Sequence, residues 1–179
     1  MKILIITGSA HKNGTSALLA EQFIKGATEA GHDVHRFDAA FKNVHPCIAC
    51  EKCHNTDTGC AFNDDMNELN PILLTADAVV FVTPIYYYAM NAQIRTVIDR
   101  FYANDAALHK NKKTALMLTM ADDSMESANG AIASFKGMAD FLEWEIVGTV
   151  VGVDCGDVDL LKKTDYPQKA YELGKNFGV

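Results

Sequence analysis

The fold of this chain can be inferred from residues 2–16, which read KILIITGSAHKNGTS. The first six of these residues, Lys2–Thr7, form an apolar run of the kind found in a strand buried on both faces. The loop from Gly8 to Ser16 then leads into apolar positions at helical spacing. This helix is predicted to continue to about Ala30, where Gly31 supplies its C-terminal stop. The order is therefore strand, glycine-containing loop and helix.

Four more strands and four more helices are predicted downstream. The strands are expected at Asp33–Phe37, Ala78–Thr83, Thr114–Met120 and Glu145–Val153. The helices are expected to begin near Met66, to cover Ile94–Phe101 and Ser124–Glu143, and to close the chain at about Pro167–Phe177. Pro71 should kink the helix that begins near Met66, or start a second short helix.

Strands that alternate with helices predict an α/β fold of three layers. The expected sheet has five parallel strands in the order 2-1-3-4-5, with helices on both faces, because each right-handed crossover covers the sheet to which it returns. Ligands of such sheets bind beyond the carboxyl ends of the strands, where the strand order reverses. The loops after Thr7, Thr83 and Met120 are therefore the candidates for a binding site.

Length and charge limit the function classes that remain. A chain of 179 residues with 49% hydrophobic content is expected to form a single domain over residues 1–179, with a core that needs no disulfide or metal. The net charge is −7, which argues against a partner that is a nucleic acid or an anionic membrane surface. The longest apolar runs fall short of the roughly 20 residues of a spanning helix. The start of the chain does not resemble a signal peptide, so a cytoplasmic location is expected.

The loop after the first predicted strand has the composition of a phosphate site. Its hydroxyl groups, its amide side chain and its backbone N–H groups precede a helix. Five residues separate Gly8 from Gly14 and Thr15 follows, so the lysine of a P-loop is missing, and Ala10 stands where a dinucleotide fingerprint has its second glycine. A receiver domain is excluded because the loop holds no acidic pair. The alternative is that residues 13–15 only turn the chain and cap the helix.

Three successive tyrosines follow the third predicted strand. Tyr86, Tyr87 and Tyr88 offer flat faces and hydroxyl groups beside the predicted crevice, which suits an aromatic ring system. Ordinary aromatic packing is the alternative. It could account for one buried tyrosine, but three in a row cannot all face the core.

Three motifs together resemble the flavodoxin-like NAD(P)H-dependent FMN reductase family. They are GSAHKNGTS at residues 8–16, DDM at residues 64–66 and TPIYYYAMNAQIRTVIDRF at residues 83–101. The resemblance covers more than half of the chain and implies a flavodoxin-like FMN-binding domain. It also implies a homodimer with the flavin near its interface.

By this resemblance, FMN contacts residues from three loops. The residues around its phosphate would be Ser9, His11, Asn13, Gly14, Thr15 and Ser16. Those along the isoalloxazine would be Pro84, Ile85, Tyr86, Tyr87 and Tyr88, with Ala121 and Asp122 of the loop at residues 120–123 on the other side. Members of the family usually carry arginine at the position of His11. Histidine is only partly protonated at neutral pH, so phosphate affinity is expected to be weaker and to depend on pH.

Hydride transfer from a nicotinamide to a flavin requires little acid or base chemistry from side chains. No catalytic side chain is therefore assigned. The other histidines are interpreted as solvated residues of loops and element edges.

Four of the five cysteines lie within residues 47–60, and Cys155 stands alone. Cys47, Cys50, Cys53 and Cys60 have the spacing C-x2-C-x2-C-x6-C, which is typical of iron–sulfur ligation. The segment is similar to that of the iron–sulfur flavoproteins of the same family. Zinc is a weaker candidate because structural zinc sites use two separated pairs of ligands. A redox-sensitive or packing loop without metal is the remaining alternative.

Three function classes are compatible with the sequence. The first is an FMN-dependent oxidoreductase that passes electrons from NAD(P)H to a small-molecule acceptor or a redox protein; a quinone, a flavin and a nitro or azo compound are the candidate small molecules. The second is an FMN and iron–sulfur electron-transfer protein reduced by a ferredoxin-like donor. The third is a cofactor-free binding module on the same fold. The absorbance spectrum of the purified protein would separate the three.

Overall fold

The structure is a computed structural model that describes residues 1–178. Its sheet contains the parallel strands β1 (Lys2–Thr7), β2 (Asp33–Asp38) and β3 (Ala78–Tyr86), a two-residue strand β4 (Ala89–Met90), and the parallel strands β5 (Lys113–Thr119) and β6 (Glu145–Gly152). The order of the parallel strands is β2-β1-β3-β5-β6. Counted without β4, this is the predicted order 2-1-3-4-5, so the predicted flavodoxin-like α/β fold is confirmed.

Eight α-helices connect and cover the strands within the described residues. They are α1 (Thr15–Glu29), α2 (Lys52–Asn55), α3 (Met66–Thr75), α4 (Ala92–Asp99), α5 (Asp105–Leu108), α6 (Asn129–Phe141), α7 (Val158–Leu161) and α8 (Tyr166–Lys175). The five longest match the helices expected from the apolar spacing. The three four-residue helices α2, α5 and α7 were not predicted, because a single turn is too short to show a period.

Alternate side chains of the strands divide the core into two apolar clusters. Leu4 and Ile6 of β1 point into one cluster with the buried faces of α3, α4 and α6. Ile3 and Ile5 point into the other cluster with α1 and α8. Because successive residues of a strand point to opposite faces of the sheet, both faces of β1 are apolar. The result is the predicted arrangement of three layers.

Three local predictions about the elements were wrong. Helix α3 continues without a break through Pro71, since its packed apolar face outweighs the loss of one backbone donor. The helix predicted at Ser124–Glu143 is divided into a 3-10 turn at Met125–Ala128 and α6. The third strand extends beyond Thr83 and turns back as β4, which pairs antiparallel with its end.

Helices α1 and α8 approach each other at the level of their backbones. A Cβ atom at Gly26 would lie 2.1 Å from the carbonyl oxygen of Tyr171, and one at Gly174 would lie 2.2 Å from that of Phe23. Only glycine fits at such separations. Each helix therefore has a glycine where the other comes closest.

Helices long and apolar enough to cross a bilayer are absent from residues 1–178.

Candidate functional site

A cleft lies at the carboxyl ends of the parallel strands, where the sequence predicted a binding site. Four loops contribute to it: the loop after β1, the end of β3, and the segments that follow β5 and β6. Its lining residues are Ser9, His11, Gly14, Thr15, Pro84, Ile85, Tyr86, Thr119, Met120, Ala121, Cys155 and Gly156. Eight of these lining residues were predicted to contact FMN: Ser9, His11, Gly14, Thr15, Pro84, Ile85, Tyr86 and Ala121.

The loop after β1 presents backbone N–H groups at the start of α1. Leu18 is the first residue whose N–H bonds back into the helix, to the carbonyl of Gly14 at 3.1 Å. The N–H groups of Thr15, Ser16 and Ala17 precede that first intrahelical bond. The N-cap position is occupied by Gly14, so these donors have no capping side chain over them. These free N–H donors and the positive end of the helix dipole both favour an anion at this end of the helix.

The hydroxyl groups at the start of α1 form hydrogen bonds with the end of β5. Ser16 is buried, and its Oγ lies 2.9 Å from Oγ1 of Thr119. The hydroxyl of Thr15 donates to the same Thr119 oxygen at 3.0 Å. Thr119 therefore positions the first turn of α1, a role that the sequence analysis did not assign. Asn13 lies outside the main cleft, in an adjoining groove beside Gly156 and Asp157.

Asn91 connects the loop after β1 to the end of β3. It is 2% exposed, its Nδ2 donates to the carbonyl oxygen of Gly8, and its Oδ1 accepts a hydrogen bond from the hydroxyl of Thr83 at 2.9 Å. A Cβ atom at Gly8 would lie 2.1 Å from Asn91 Oδ1. Gly8 is therefore required for this close approach.

The tyrosines form an exposed aromatic turn between β3 and β4. Tyr87 and Tyr88 occupy its two central positions with φ angles of 48° and 64°. Bulky residues rarely adopt this left-handed conformation. Tyr87 is 99% exposed, and Tyr86 and Tyr88 are also exposed. The prediction that the three rings do not all pack into the core is confirmed.

The loop after β5 is held by its own aspartate. Asp122 Oδ2 accepts a hydrogen bond from the Ser127 hydroxyl at 2.7 Å, and Oδ1 accepts one from the Ser124 N–H at 2.9 Å. These hydrogen bonds hold the pKa of Asp122 below its usual range. Asp122 also lines a shallow groove with Tyr87 and Tyr88. Its carboxylate shapes the loop, while Ala121 lies in the main cleft.

A second candidate site is a cavity formed by the cysteine segment. Cys47, Cys50, Cys53 and Cys60 all line it, together with Ile48, Ala49, Glu51, Ala61, Phe62, Asp99, Arg100, Tyr102 and Ala103. The structure therefore brings together the four cysteines that were predicted to ligate a cluster.

Two residues in the left-handed region make this convergence possible. Ala49 has a φ of 51° and Glu51 a φ of 58°, so the chain reverses sharply between Cys47 and Cys53. The Tyr102 hydroxyl anchors this turn, since it donates to Glu51 Oε2 at 2.8 Å. A strained backbone that is fixed by a side-chain contact is typical of functional segments.

The thiol groups are close enough to influence one another. Partial burial, together with the negative charges that Cys60, Cys47 and Cys50 would carry as thiolates, raises the pKa of Cys53. In residues 1–178, no three His, Cys, Asp or Glu side chains are spaced to bind a single metal ion. A [4Fe–4S] cluster places each of four thiolates on a different iron, so its ligands need not meet at one point. The donor set therefore fits a cluster better than a lone zinc ion.

Arg100, which lines this cavity, forms a buried ion pair with Asp64. Asp64 Oδ2 lies 2.6 Å from Arg100 Nη1, and Asp64 Oδ1 lies 3.2 Å from Arg100 Nη2. Burial opposes ionisation of Asp64, but the hydrogen bonds from Arg100 and from the backbone N–H groups of His45 and Met66 outweigh it. The pKa of Asp64 is consequently lowered. The pair ties the DDM motif to the end of the TPIYYYAMNAQIRTVIDRF motif.

Comparison with known proteins gives three kinds of match. The family described as NADPH-dependent FMN reductase matches residues 1–155. An iron–sulfur flavoprotein from Methanocaldococcus jannaschii is 34% identical over 115 residues, which cover 63% of this chain and 55% of that protein. The chain spans about half the length of the first curated relatives that it matches.

Solved structures share the fold at low sequence identity. A flavone reductase has a TM-score of 0.77 at 20% identity, covering 98% of this chain and 61% of that protein. An NAD(P)H:quinone oxidoreductase from Methanothermobacter marburgensis has a TM-score of 0.73 at 17% identity, covering 100% of this chain and 96% of that protein. These likenesses establish the three-layer fold.

Proposed function

Because the chain belongs to the NADPH-dependent FMN reductase family, we propose that it is an FMN-dependent oxidoreductase that takes electrons from NADH or NADPH. The observation that carries this proposal is the cleft at the carboxyl ends of the strands. The three loops that the sequence predicted as binding-site candidates, those after Thr7, Thr83 and Met120, meet in this cleft. One presents anion-binding donors and another presents exposed aromatic rings, the two features that a flavin mononucleotide requires.

The loop at residues 9–16 would hold the phosphate of FMN. The N–H groups of Thr15, Ser16 and Ala17 point out of the first turn of α1, where the helix dipole favours a negative charge. The hydroxyls of Ser9 and Thr15 line the same end of the cleft. Lys12, which is exposed, is the cationic side chain of the loop, and the exposed imidazole of His11 lies next to it in the sequence. This donor set fits a phosphate without any change of the fold.

The isoalloxazine would lie between the end of β3 and the loop after β5. Pro84, Ile85 and Tyr86 form one wall of the cleft, and Met120 and Ala121 form another. These walls are largely apolar, as sites for flat ring systems are. Asp122 keeps the second wall in place through its bonds to Ser124 and Ser127.

When bound, FMN would supply the two-electron chemistry that links NAD(P)H to an acceptor. The residues of this chain would bind the phosphate, orient the ring and leave one ring face accessible to the nicotinamide. Proximity and orientation supply most of the rate in such a reaction. Tyr86 lines the cleft, and Tyr87 and Tyr88 line the adjoining groove. All three are exposed and could stack against an aromatic donor or acceptor.

We assign quinones, flavins, nitro and azo compounds as the candidate acceptors, since all are flat and conjugated.

A second copy of the chain would cover the exposed turn at Tyr87 and form a homodimer near the cleft. Sedimentation velocity of wild type and Tyr87→Ser tests this part, because a dimer through this turn should weaken in the variant.

The experiment that tests the proposal is spectroscopic. FMN is added to purified protein, and bound flavin is measured after gel filtration by its absorbance near the usual flavin maxima. NADH and NADPH are then supplied separately under anaerobic conditions. Bleaching of the bound flavin by either nucleotide is expected. Protein that retains no FMN would refute the proposal, whereas bound flavin that neither nucleotide bleaches would refute only the choice of donor.

A second candidate function is favoured by the cysteine cavity. Four cysteines on one cavity, held by a left-handed turn and a buried ion pair, would bind an iron–sulfur cluster. When bound, such a cluster transfers single electrons. The protein would then pass electrons between a ferredoxin-like partner and the flavin.

Anaerobic preparation distinguishes the two functions. Iron and inorganic sulfide are measured in wild type and in Cys50→Ala after reconstitution with ferrous iron and sulfide. The second function predicts both elements in wild type and their loss from the variant, with FMN retained. Wild-type protein without iron would leave the simple FMN reductase as the function.

A further inference from the structure

The side chain of Arg100 has an unusual position in the cysteine cavity. Arg100 is 3% exposed and lines the cavity beside the four cysteines. Its charge is already balanced by Asp64, which accepts hydrogen bonds from both Nη atoms. Nη1 also donates to the carbonyl oxygen of His45 at 2.8 Å. The terminal nitrogens of the guanidinium are thus engaged by protein acceptors.

The third nitrogen of this guanidinium, Nε, has no such acceptor among the described residues. Arg100 Nε is buried and finds no hydrogen-bond partner within residues 1–178. A buried donor that is left unpaired costs about 1–3 kcal/mol. Native proteins therefore rarely keep one unless a ligand or water completes it. The aromatic ring of Phe62 lies 5.2 Å from the guanidinium carbon and shields it on one side.

The sulfur of Cys60 is a potential acceptor for this guanidinium. The thiol of Cys60 lies beside the guanidinium of Arg100, and both residues line the same cavity. Thiolates and cluster sulfides are anionic acceptors, and a charged N–H donor bonds to such acceptors more strongly than a neutral donor does. A lysine could pair with Asp64 at this position, but it has no second donor in the place of Nε.

We propose that Arg100 is a positioning residue of the iron–sulfur site, whose Nε–H donates a hydrogen bond to the sulfur of Cys60 when the cluster is bound. The inference rests on the proposed cluster and specifies how the fold supports it. Asp64 engages both Nη atoms of the guanidinium, so that Nε is the nitrogen left without an acceptor beside the cavity in the described part of the chain. A hydrogen bond to a ligand sulfur stabilises the reduced, more negative state of a cluster. Arg100 therefore raises the reduction potential of the cluster and helps to retain it.

The test compares three variants of the full-length protein after anaerobic reconstitution with ferrous iron and sulfide. Arg100→Lys keeps a positive charge for Asp64 but removes Nε–H. Asp64→Asn is the matched control for the loss of the ion pair, because it removes the charge of Asp64, keeps an amide oxygen that accepts from an Nη atom, and retains Nε–H. The double variant Arg100→Met with Asp64→Asn removes the charge of both partners, so a buried unpaired carboxylate does not prevent folding if Arg100→Lys is unstable.

Two quantities are measured beside FMN content: the reduction potential of the cluster, by anaerobic titration, and the iron retained against a chelator. Arg100→Lys and the double variant should show a more negative potential and on the order of 10-fold weaker retention of iron. Asp64→Asn should keep a potential closer to that of wild type. Potentials that are equal in wild type and Arg100→Lys would overturn the role of Nε. Wild-type protein without iron and sulfide would overturn the cluster itself, and the role of Arg100 with it.

Discussion

Asn91 Nδ2 donates a hydrogen bond to the carbonyl oxygen of Gly8 across the top of the sheet. One amide side chain thus joins the loop after β1 to the start of α4. The same side chain accepts from Thr83 at the end of β3. The relative position of two walls of the cleft therefore depends on a single buried residue.

Replacement of Asn91 by alanine should loosen the cleft and destabilise the fold. The carbonyl of Gly8 would lose the buried donor that Asn91 supplies, and the hydroxyl of Thr83 would lose one of its acceptors while keeping the carbonyl of Pro84. The expected loss is about 1–3 kcal/mol in the free energy of unfolding. Urea unfolding measures this loss, and fluorescence titration should show weaker FMN binding. Gln93→Ala is the control, because Gln93 is exposed and only accepts from the same amide at 2.8 Å. Equal stability of the two variants would contradict the role of Asn91.

A negative charge at the start of α1 should abolish FMN binding. Thr15→Asp places a carboxylate among the N–H groups proposed for the phosphate, and two anions cannot share that position. Thr28→Asp puts the same charge on the exposed last turn of α1 and serves as the control. The flavin content after gel filtration should fall to background only in the first variant. Full flavin content in Thr15→Asp would move the phosphate to another loop.

The Tyr88→Gly variant should be more stable than the Tyr88→Ala variant. Both changes remove the ring, but alanine retains the Cβ atom that disfavours a φ of 64°. The expected difference in the free energy of unfolding is about 1 kcal/mol in favour of Tyr88→Gly. Thermal and urea unfolding of the pair check this directly. If Tyr88→Ala proves as stable as Tyr88→Gly, the turn does not adopt the left-handed conformation.

Tyr86 should contribute to flavin affinity. Removal of an aromatic ring beside the isoalloxazine costs about 1 kcal/mol beyond the lost apolar contact, which corresponds to roughly a 5-fold weaker Kd. FMN titration of Tyr86→Ala measures the change. Phe141→Ala removes an exposed aromatic ring from the end of α6 and should leave the Kd unchanged. A wild-type Kd in Tyr86→Ala, and in the alanine variants of Tyr87 and Tyr88, would place the flavin ring elsewhere.

Asp64 should make the stability of the protein sensitive to acid. Its pKa is lower in the folded state than in the unfolded chain, so its ionised form stabilises the fold at neutral pH. That contribution is complete above the unfolded pKa near 4 and is lost as the pH falls through the lowered folded pKa. Asp64→Asn should lose about 3 kcal/mol at pH 7 and show a shallower decline below pH 4. Parallel pH profiles for wild type and variant would argue against the shift.

Much of the fold was visible in the sequence because buried strands and amphipathic helices have local periods. Lys2–Thr7 and Ala78–Thr83 are apolar on both faces, and the spacing from Ile94 to Phe101 is helical. The errors arose where tertiary contacts determine the local structure. Pro71 is tolerated inside α3 because Leu69 and Leu73 beside it are fully buried, which no local rule reveals.

The candidate site was predictable only in part, for the same reason. Its loops could be located because they follow strands at the reversal of the strand order. Thr119, Asn91 and the Asp64–Arg100 pair were missed as functional residues, since each acts on a partner that is distant in sequence. A helix was expected to begin near Met66, and Asp64 does accept from the Met66 N–H at 3.1 Å. Its stronger partner lies 36 residues away.

The paired glycines of α1 and α8 set a limit on where the chain can be cut. Family similarity ends at residue 155, yet α8 lies beyond that point and presses its backbone onto the helix that begins at the proposed phosphate site. A fragment trimmed to residues 1–155 would uncover Phe23 and Ala27 on α1. Expression designs and domain fusions should therefore keep residues 156–178 as part of the folding unit.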